Sequence, residues 1–184
     1  MAAARATAAR ATPARNDRVL AQLIHALNET AFSTRLRESD WTFSIIETVH
    51  VLSIAVMAGT IALVDLRLLG VLFRRQRVSR VTVQVTPVTW IGFALMAVSG
   101  VLLFVAEPDK AAANPAFQIK LVLLLAAAAN LVVFHRWVFR TAAVWDERPT
   151  PPRAAQLCGA LSLVLWASII VLGRVIAYFP EPVS

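Results

Sequence analysis

Residues 47–70, ETVHVLSIAVMAGTIALVDLRLLG, decide the fold class, because this segment is apolar enough to cross a membrane and still contains four ionisable side chains. They are Glu47 and His50 near its start and Asp65 and Arg67 near its end. A membrane-spanning helix needs about 20 predominantly apolar residues, and ionisable groups inside it are costly unless they face the bundle interior. The segment therefore predicts one helix of a bundle with inward-facing polar groups.

The rest of the chain repeats this pattern of long apolar runs separated by short charged blocks. Of its 184 residues, 58% are hydrophobic and only 16% are charged, which is unlike a soluble domain. The predicted fold class is all-α, a polytopic membrane four-helix bundle preceded by an amphipathic interfacial helix. The predicted spans cover about residues 41–73, 88–106, 117–139 and 155–179 of a transmembrane domain at 41–184.

The N-terminal region has a different composition. Residues 1–15 are rich in alanine, arginine and threonine and predict a disordered basic tail. Over residues 16–40, Leu20, Leu23 and Leu27 recur at helical spacing opposite a polar face. This segment predicts an amphipathic helix that lies on the membrane surface.

The net charge of +7 comes almost entirely from arginine, and beyond the N-terminal region the arginines cluster at the ends of apolar segments. In these positions they indicate topology and contacts with the lipid bilayer, so nucleic acid is excluded as a partner. The loops after the first and third predicted spans contain most of these arginines. The positive-inside rule places both loops in the cytoplasm. We therefore expect a multi-pass protein of the bacterial inner membrane with both termini in the periplasm.

This topology brings polar residues from all four spans to one level in the outer half of the bilayer. Spans one and three run in the same direction, which places His50 and Lys120 at similar depths. The opposite direction of spans two and four brings Ser99 and Arg174 to that level, and Glu47 lies one turn before His50. We expect these five residues to face inward and form a cofactor-binding site.

A second polar layer is expected in the inner half. Asp65 lies fifteen residues after His50, and His135 lies fifteen residues after Lys120, so the two layers are separated by about 22 Å. We interpret Asp65 and Arg67 as an interfacial ion pair, Asn130 as a donor between helices and His135 as an interfacial residue.

The outer layer suits a haem, which needs an axial nitrogen ligand, a second ligand opposite it and a cation for a propionate. His50 and Lys120 can supply the two iron ligands and Arg174 the propionate partner. His50 and His135 cannot form such a pair, because they lie about 22 Å apart along the membrane normal. An anionic or quinone-like ligand held by Lys120 and Arg174 is an alternative.

Several strings support a resemblance over roughly residues 35–180, namely RESDWTFSIIETVHVLSIAVMAGTIALVDLRLLG, GFALMAVSGVLLF, NPAFQIKLVLLLAAAANLVVFHR and GRVIAY. They resemble an uncharacterised bacterial family of four-helix integral membrane proteins, a domain of unknown function. This resemblance implies fold and location only.

The histidine of the first span and the KL pair of the third span also resemble the bacterial four-helix membrane protoporphyrinogen oxidase and the related copper-resistance membrane proteins. In that oxidase family these two positions ligate haem b, which would implicate His50 and Lys120 here. The sequence departs from the family after the histidine, where AVMAGTIALVDLR replaces a stretch containing tryptophan and arginine.

Three functions follow as hypotheses, and whether the protein is an enzyme stays open. The first is a haem b-binding redox protein or cytochrome-like subunit. The second is an accessory or structural subunit of a larger membrane complex, whose partners would be other subunits or a second copy of the chain. The third is a small-molecule or metal-handling transporter that uses Glu47 and His50, although a four-helix bundle without repeats is poorly suited to transport.

Overall fold

The structure is a computed structural model and describes residues 15–176, without the side chains of residues 15–17 and 40. Residues 1–14 of the predicted tail and the last residues of the fourth predicted span lie outside the described part. The α-helices are α1 (Arg15–Asn28), α2 (Ala31–Glu38), α3 (Asp40–Leu68), α4 (Val78–Ala106), α5 (Pro108–Ala113), α6 (Pro115–Val133), α7 (Ala142–Trp145) and α8 (Arg153–Val175). A π-helical turn (Phe134–Val138) and a 3₁₀ turn (Phe139–Thr141) join α6 to α7.

Four segments are long and apolar enough to cross a membrane: Trp41–Leu68, Val78–Ala106, Pro115–Trp145 and Arg153–Val175. They alternate in direction, and the part of the chain from 15 to 176 contains no β-strand. The predicted all-α, four-helix membrane bundle is therefore confirmed.

The first membrane-crossing helix ends earlier than the predicted limit at residue 73. Gly70 has a φ of 70°, and its N–H bonds to the carbonyl of Arg67 while the N–H of Val71 bonds to that of Leu66. These two bonds form a Schellman motif, which ends a helix at a glycine in the left-handed conformation. The apolar residues that follow therefore belong to a loop.

The second membrane-crossing helix starts ten residues before the predicted span and passes through Pro87 without ending. Proline removes one backbone donor within a helix. The Thr86 hydroxyl bonds to the Thr82 carbonyl at 2.6 Å, one turn below it. Serine and threonine hydroxyls commonly take up carbonyls around a proline in a membrane helix.

The predicted interfacial helix is two helices, which meet at Thr30. The Thr30 hydroxyl accepts a hydrogen bond from the backbone N–H of Ser33 and caps α2. Ser33 and Arg37 of α2 both donate to the carbonyl of Ala106, at 3.3 and 3.2 Å. α2 thus supplies hydrogen-bond donors for a backbone carbonyl at the end of α4 that has no partner within its own helix. α1 packs against α5 at the same end of the bundle, which we call the α5 end.

The four long helices form two pairs. α3 packs along α4, and α6 packs along α8, while α3 and α8 join the pairs. α4 and α6 barely meet, and a ring stack between Phe104 and Phe117, with centroids 5.8 Å apart, joins them near the α5 end. The bundle is therefore closed along the α3–α8 contact and more open between α4 and α6.

A cluster of buried hydrophobic side chains lies at the opposite end, which we call the arginine-rich end because its loops contain Arg74, Arg75 and Arg148. It contains Leu68, Val78, Phe134, Val138, Ala142, Trp145 and Ala155. The loop at 69–77 packs here against the loop at 146–152, because the carbonyl of Pro149 lies close to Gly70. This cluster and the contact between the two loops therefore hold the helices together at this end.

Candidate functional site

His50 is a half-buried side chain of α3 whose ring is oriented by α4. Its Nδ1 lies 3.1 Å from the Met96 carbonyl oxygen and 3.0 Å from the Ser99 hydroxyl. A carbonyl only accepts hydrogen bonds, so Nδ1 carries the proton and donates. The Ser99 hydroxyl donates to the Leu95 carbonyl at 2.6 Å. In this tautomer Nε2 presents a lone pair, and it makes no hydrogen bond to any described residue.

Gly100 makes room for the His50 ring. A Cβ atom at this position would lie 3.0 Å from Cε1 of the ring. That separation is too short for a relaxed contact, so a larger residue at 100 would displace the imidazole. The glycine thus allows α4 to approach α3 closely enough for the Met96 and Ser99 hydrogen bonds.

Lys120 comes from the other helix pair. It is half-buried on α6, and its Nζ lies 3.6 Å from where a Cβ of Gly173 would be on α8. It interacts electrostatically with His50. Between residues 15 and 176 it has no hydrogen-bond acceptor and no carboxylate partner. Lys120 and His50 thus belong to opposite helix pairs and lie near enough for their charges to interact, and each has a nitrogen without a hydrogen-bond partner in the described chain.

Glu47 and Arg174 lie outside this group. Both side chains are exposed, and neither makes an ion pair or a hydrogen bond with another described residue. Of the five residues predicted for the outer layer, the structure thus brings together His50, Ser99 and Lys120.

Sequence reasoning missed the Met96 carbonyl as a partner of His50. The position of Met96 one turn before Ser99 was the available signal, since both then lie on the face that meets α3.

Asp65 and Arg67 do not form the ion pair that the sequence predicts, and that interpretation is wrong. Residues two apart on a helix point to different sides. Arg67 is fully buried and donates to the carbonyls of Gln76 and Arg148, at 2.8 and 3.0 Å. Asp65 is 5% exposed and interacts with the Ser162 hydroxyl of α8.

The remaining residues of the predicted inner layer have separate surroundings. Asn130 donates to the carbonyl of Cys158 at 3.0 Å, which is a hydrogen bond between α6 and α8. His135 is exposed, and its Nδ1 lies 3.1 Å from the carbonyl of Leu131 in its own helix. The four residues of the predicted inner layer therefore lie at a similar depth in the bundle, but their side chains do not contact one another.

A groove of about 400 Å³ lies between α6 and α8 on the side of the arginine-rich end. It is lined by Ala126, Ala129, Asn130, Val133, Leu157, Cys158 and Leu161, and includes neither His50 nor Lys120. Within the described residues, no three His, Cys, Asp or Glu side chains are grouped as metal ligands. The candidate site therefore rests on His50 and Lys120.

Four apolar crossing helices define the class of this chain as a multi-pass membrane protein. Residues 39–179 match the model of the family of unknown function DUF6644, and the chain belongs to this family. The predicted membership of an uncharacterised four-helix family is thereby confirmed. No curated protein and no solved structure matches the chain, and the comparisons give no support to the resemblance to the oxidase and copper-resistance proteins.

Proposed function

We propose that this protein binds haem b between its two helix pairs, with His50 and Lys120 as the iron ligands, and acts in membrane redox chemistry. The observation that carries the proposal is the orientation of His50. Its Nδ1–H is held by the Met96 carbonyl, which leaves the Nε2 lone pair available. Histidine ligands are commonly oriented in this way, because the hydrogen bond fixes the tautomer and raises the basicity of the ligating nitrogen.

The opposite side of the site supplies a second nitrogen. The half-buried Lys120 amine has no protein acceptor within the described chain, and the small residue Gly173 lies beside it. The weak contact between α4 and α6 leaves a side on which a flat group can lie between the pairs. Arg174 directly follows Gly173 and is exposed, so it is the cation available for a propionate.

Haem b would supply one-electron transfer at this position. The chain itself holds the ring orientation of His50 and buries Ser99 behind it. The apolar side chains of the bundle exclude water, and such exclusion tunes the potential of an iron centre. Ser99 is thus a positioning residue, since its hydroxyl contacts the nitrogen of His50 that faces away from the site.

The arginines at the arginine-rich end support an orientation with that end in the cytoplasm. The proposed site, which is nearer the α5 end, would then lie in the outer half of a bacterial inner membrane, and both termini would lie on the periplasmic side.

The test is a reduced-minus-oxidised visible spectrum of the protein purified in mild detergent from cells supplied with a haem precursor. We expect a b-type signal in the wild type and a loss of at least tenfold in His50→Ala and Lys120→Met. His135→Ala is the matched control, because His135 is the other histidine of the crossing helices and is exposed.

Two results would contradict the haem proposal. One is a wild-type protein without a Soret band after haem supplementation. The other is equal haem retention in His50→Ala and His135→Ala when both variants melt at the temperature of the wild type, since folding would then be intact and the ligand assignment incorrect.

A second candidate, an accessory subunit of a larger membrane complex, is favoured by Glu47. This carboxylate is exposed on α3, seven residues after the residue that begins the helix, and has no partner in the described chain. A cation on a neighbouring subunit, or on a second copy, would complement it. Affinity purification in mild detergent from native membranes should then recover a stoichiometric partner that Glu47→Gln loses, whereas recovery of the single chain alone would exclude this candidate.

A further inference from the structure

The loops at the arginine-rich end carry positive charge that the protein does not neutralise. The segments at 67–80 and 146–153 contain seven arginines and two carboxylates. Glu147 pairs with Arg77, and Asp146 accepts hydrogen bonds from the backbone and hydroxyl of Ser79. The exposed arginines without a carboxylate partner in the described chain are Arg74, Arg75, Arg80, Arg148 and Arg153.

Three apolar side chains lie beside these arginines. Val71, Leu72 and Phe73 are 61%, 37% and 43% exposed, and they follow Gly70 just beyond the end of α3. They are therefore at the depth where the hydrocarbon gives way to headgroups. We call the five arginines and these three residues the basic loop surface.

The basic loop surface is held in one shape by buried contacts. The fully buried Arg67 ties the carbonyl of Gln76 in one loop to that of Arg148 in the other. The Pro149 carbonyl would lie 3.3 Å from a Cβ at Gly70, which shows how closely the loops approach. The arginines thus project from two loops that are fixed to each other, and not from a single flexible segment.

We propose that the basic loop surface binds the headgroups of anionic phospholipids. Guanidinium groups form paired, charge-assisted hydrogen bonds with phosphate oxygens. The apolar triplet fits acyl chains next to the headgroup, which neither a nucleic acid nor a soluble acidic partner would offer. Arginines placed immediately beyond a membrane helix attract anionic lipid over zwitterionic lipid. The proposal is independent of haem binding.

The test uses the full chain in nanodiscs with equal amounts of phosphatidylglycerol and phosphatidylcholine. Native mass spectrometry then measures the ratio of the two lipids retained on the released protein. We expect phosphatidylglycerol to be enriched on the wild type. Each arginine near an anionic surface contributes about fivefold, so Arg75→Gln with Arg148→Gln should reduce the enrichment by about 30-fold.

The matched control is Arg18→Gln with Arg35→Gln, which removes two exposed arginines from α1 and α2 at the other end. This variant should keep the wild-type enrichment. The pair Arg75→Lys with Arg148→Lys preserves charge and should keep most of the enrichment, which separates loss of charge from loss of the native side chains.

Three results would overturn the proposal. The first is a wild type with no preference for phosphatidylglycerol. The second is an equal loss in the control variant, which would mean that net charge alone sets the ratio. The third is displacement of the bound lipid by inorganic phosphate at an equal concentration, because the surface would then recognise a free anion and not a lipid.

Discussion

Replacement of Arg67 by methionine tests whether a buried guanidinium holds the two loops of the arginine-rich end together. Methionine preserves much of the volume of the arginine stem but removes every donor. The carbonyls of Gln76 and Arg148, which Arg67 contacts at 2.8 and 3.0 Å, would lose a charged donor. The interaction of Arg67 with Asp146 would also be lost.

The magnitude follows from these contacts. Two hydrogen bonds from a charged group are worth about 3–6 kcal/mol. Removal of a buried charge offsets part of this loss, since Nη1 has no partner and its desolvation is relieved. We therefore expect a destabilisation of about 3 kcal/mol, near the lower limit for a broken buried charged contact. For a chain of this size that is a decrease in melting temperature of roughly 6–12 °C.

The assay is thermal unfolding in detergent, followed by circular dichroism, for the wild type, Arg67→Met and Arg75→Met. Arg75 is the matched control because it lies in the same loop but is exposed and unpaired with any described carboxylate. The control should melt close to the wild type. If Arg67→Met melts within about 2 °C of Arg75→Met, a difference of less than about 1 kcal/mol, the proposed connection between the loops does not stabilise the protein.

Three further results are expected. The hydrogen bond with Asp109, together with nearby carboxylate charge, raises the pKa of His25 above its ordinary value of 6.5. The docking of α1 on α5 should therefore be fully stabilised below pH 6.5 and should weaken as the pH rises through the raised pKa. Limited proteolysis at several pH values should detect this dependence in the wild type and not in Asp109→Asn. Asp146→Ala removes the acceptor for the first turn of α4 and should lower stability by about 1 kcal/mol, whereas an unchanged melting temperature would argue against this cap. Gly100→Val should displace the His50 ring and abolish any haem signal, while Gly59→Val, where an added Cβ meets nothing within 4 Å, should keep it.

The all-α fold class and the number of crossing helices were predictable from sequence, because hydropathy reports them directly. The hydrogen bond from Asn130 to a neighbouring helix was also predictable, since an amide inside an apolar helix needs an acceptor there. His50 and Lys120 were placed at a common depth because helical rise converts residue number into depth.

The partners of Arg67 were not predictable in the same way. They are the backbone carbonyls of Gln76 and Arg148. Every residue type has a backbone carbonyl, so the sequence does not indicate which carbonyls bind Arg67. The rotation of each helix about its own axis was also not predictable from the sequence, since the length of a span does not determine it. For this reason the sequence did not show that the side chains of Glu47 and Arg174 are exposed, whereas those of His50 and Lys120 are half-buried.

The division of the bundle into two pairs has a consequence for biogenesis. α3 with α4, and α6 with α8, are consecutive helical hairpins, linked only by the short segment around α5. Each hairpin can enter the membrane as a unit during translation, because its main contacts are local along the chain. His50 belongs to the first hairpin and Lys120 to the second. They can therefore meet only after the second hairpin has been made, and a ribosome stalled before α6 would leave a membrane-inserted chain that contains His50 but not Lys120.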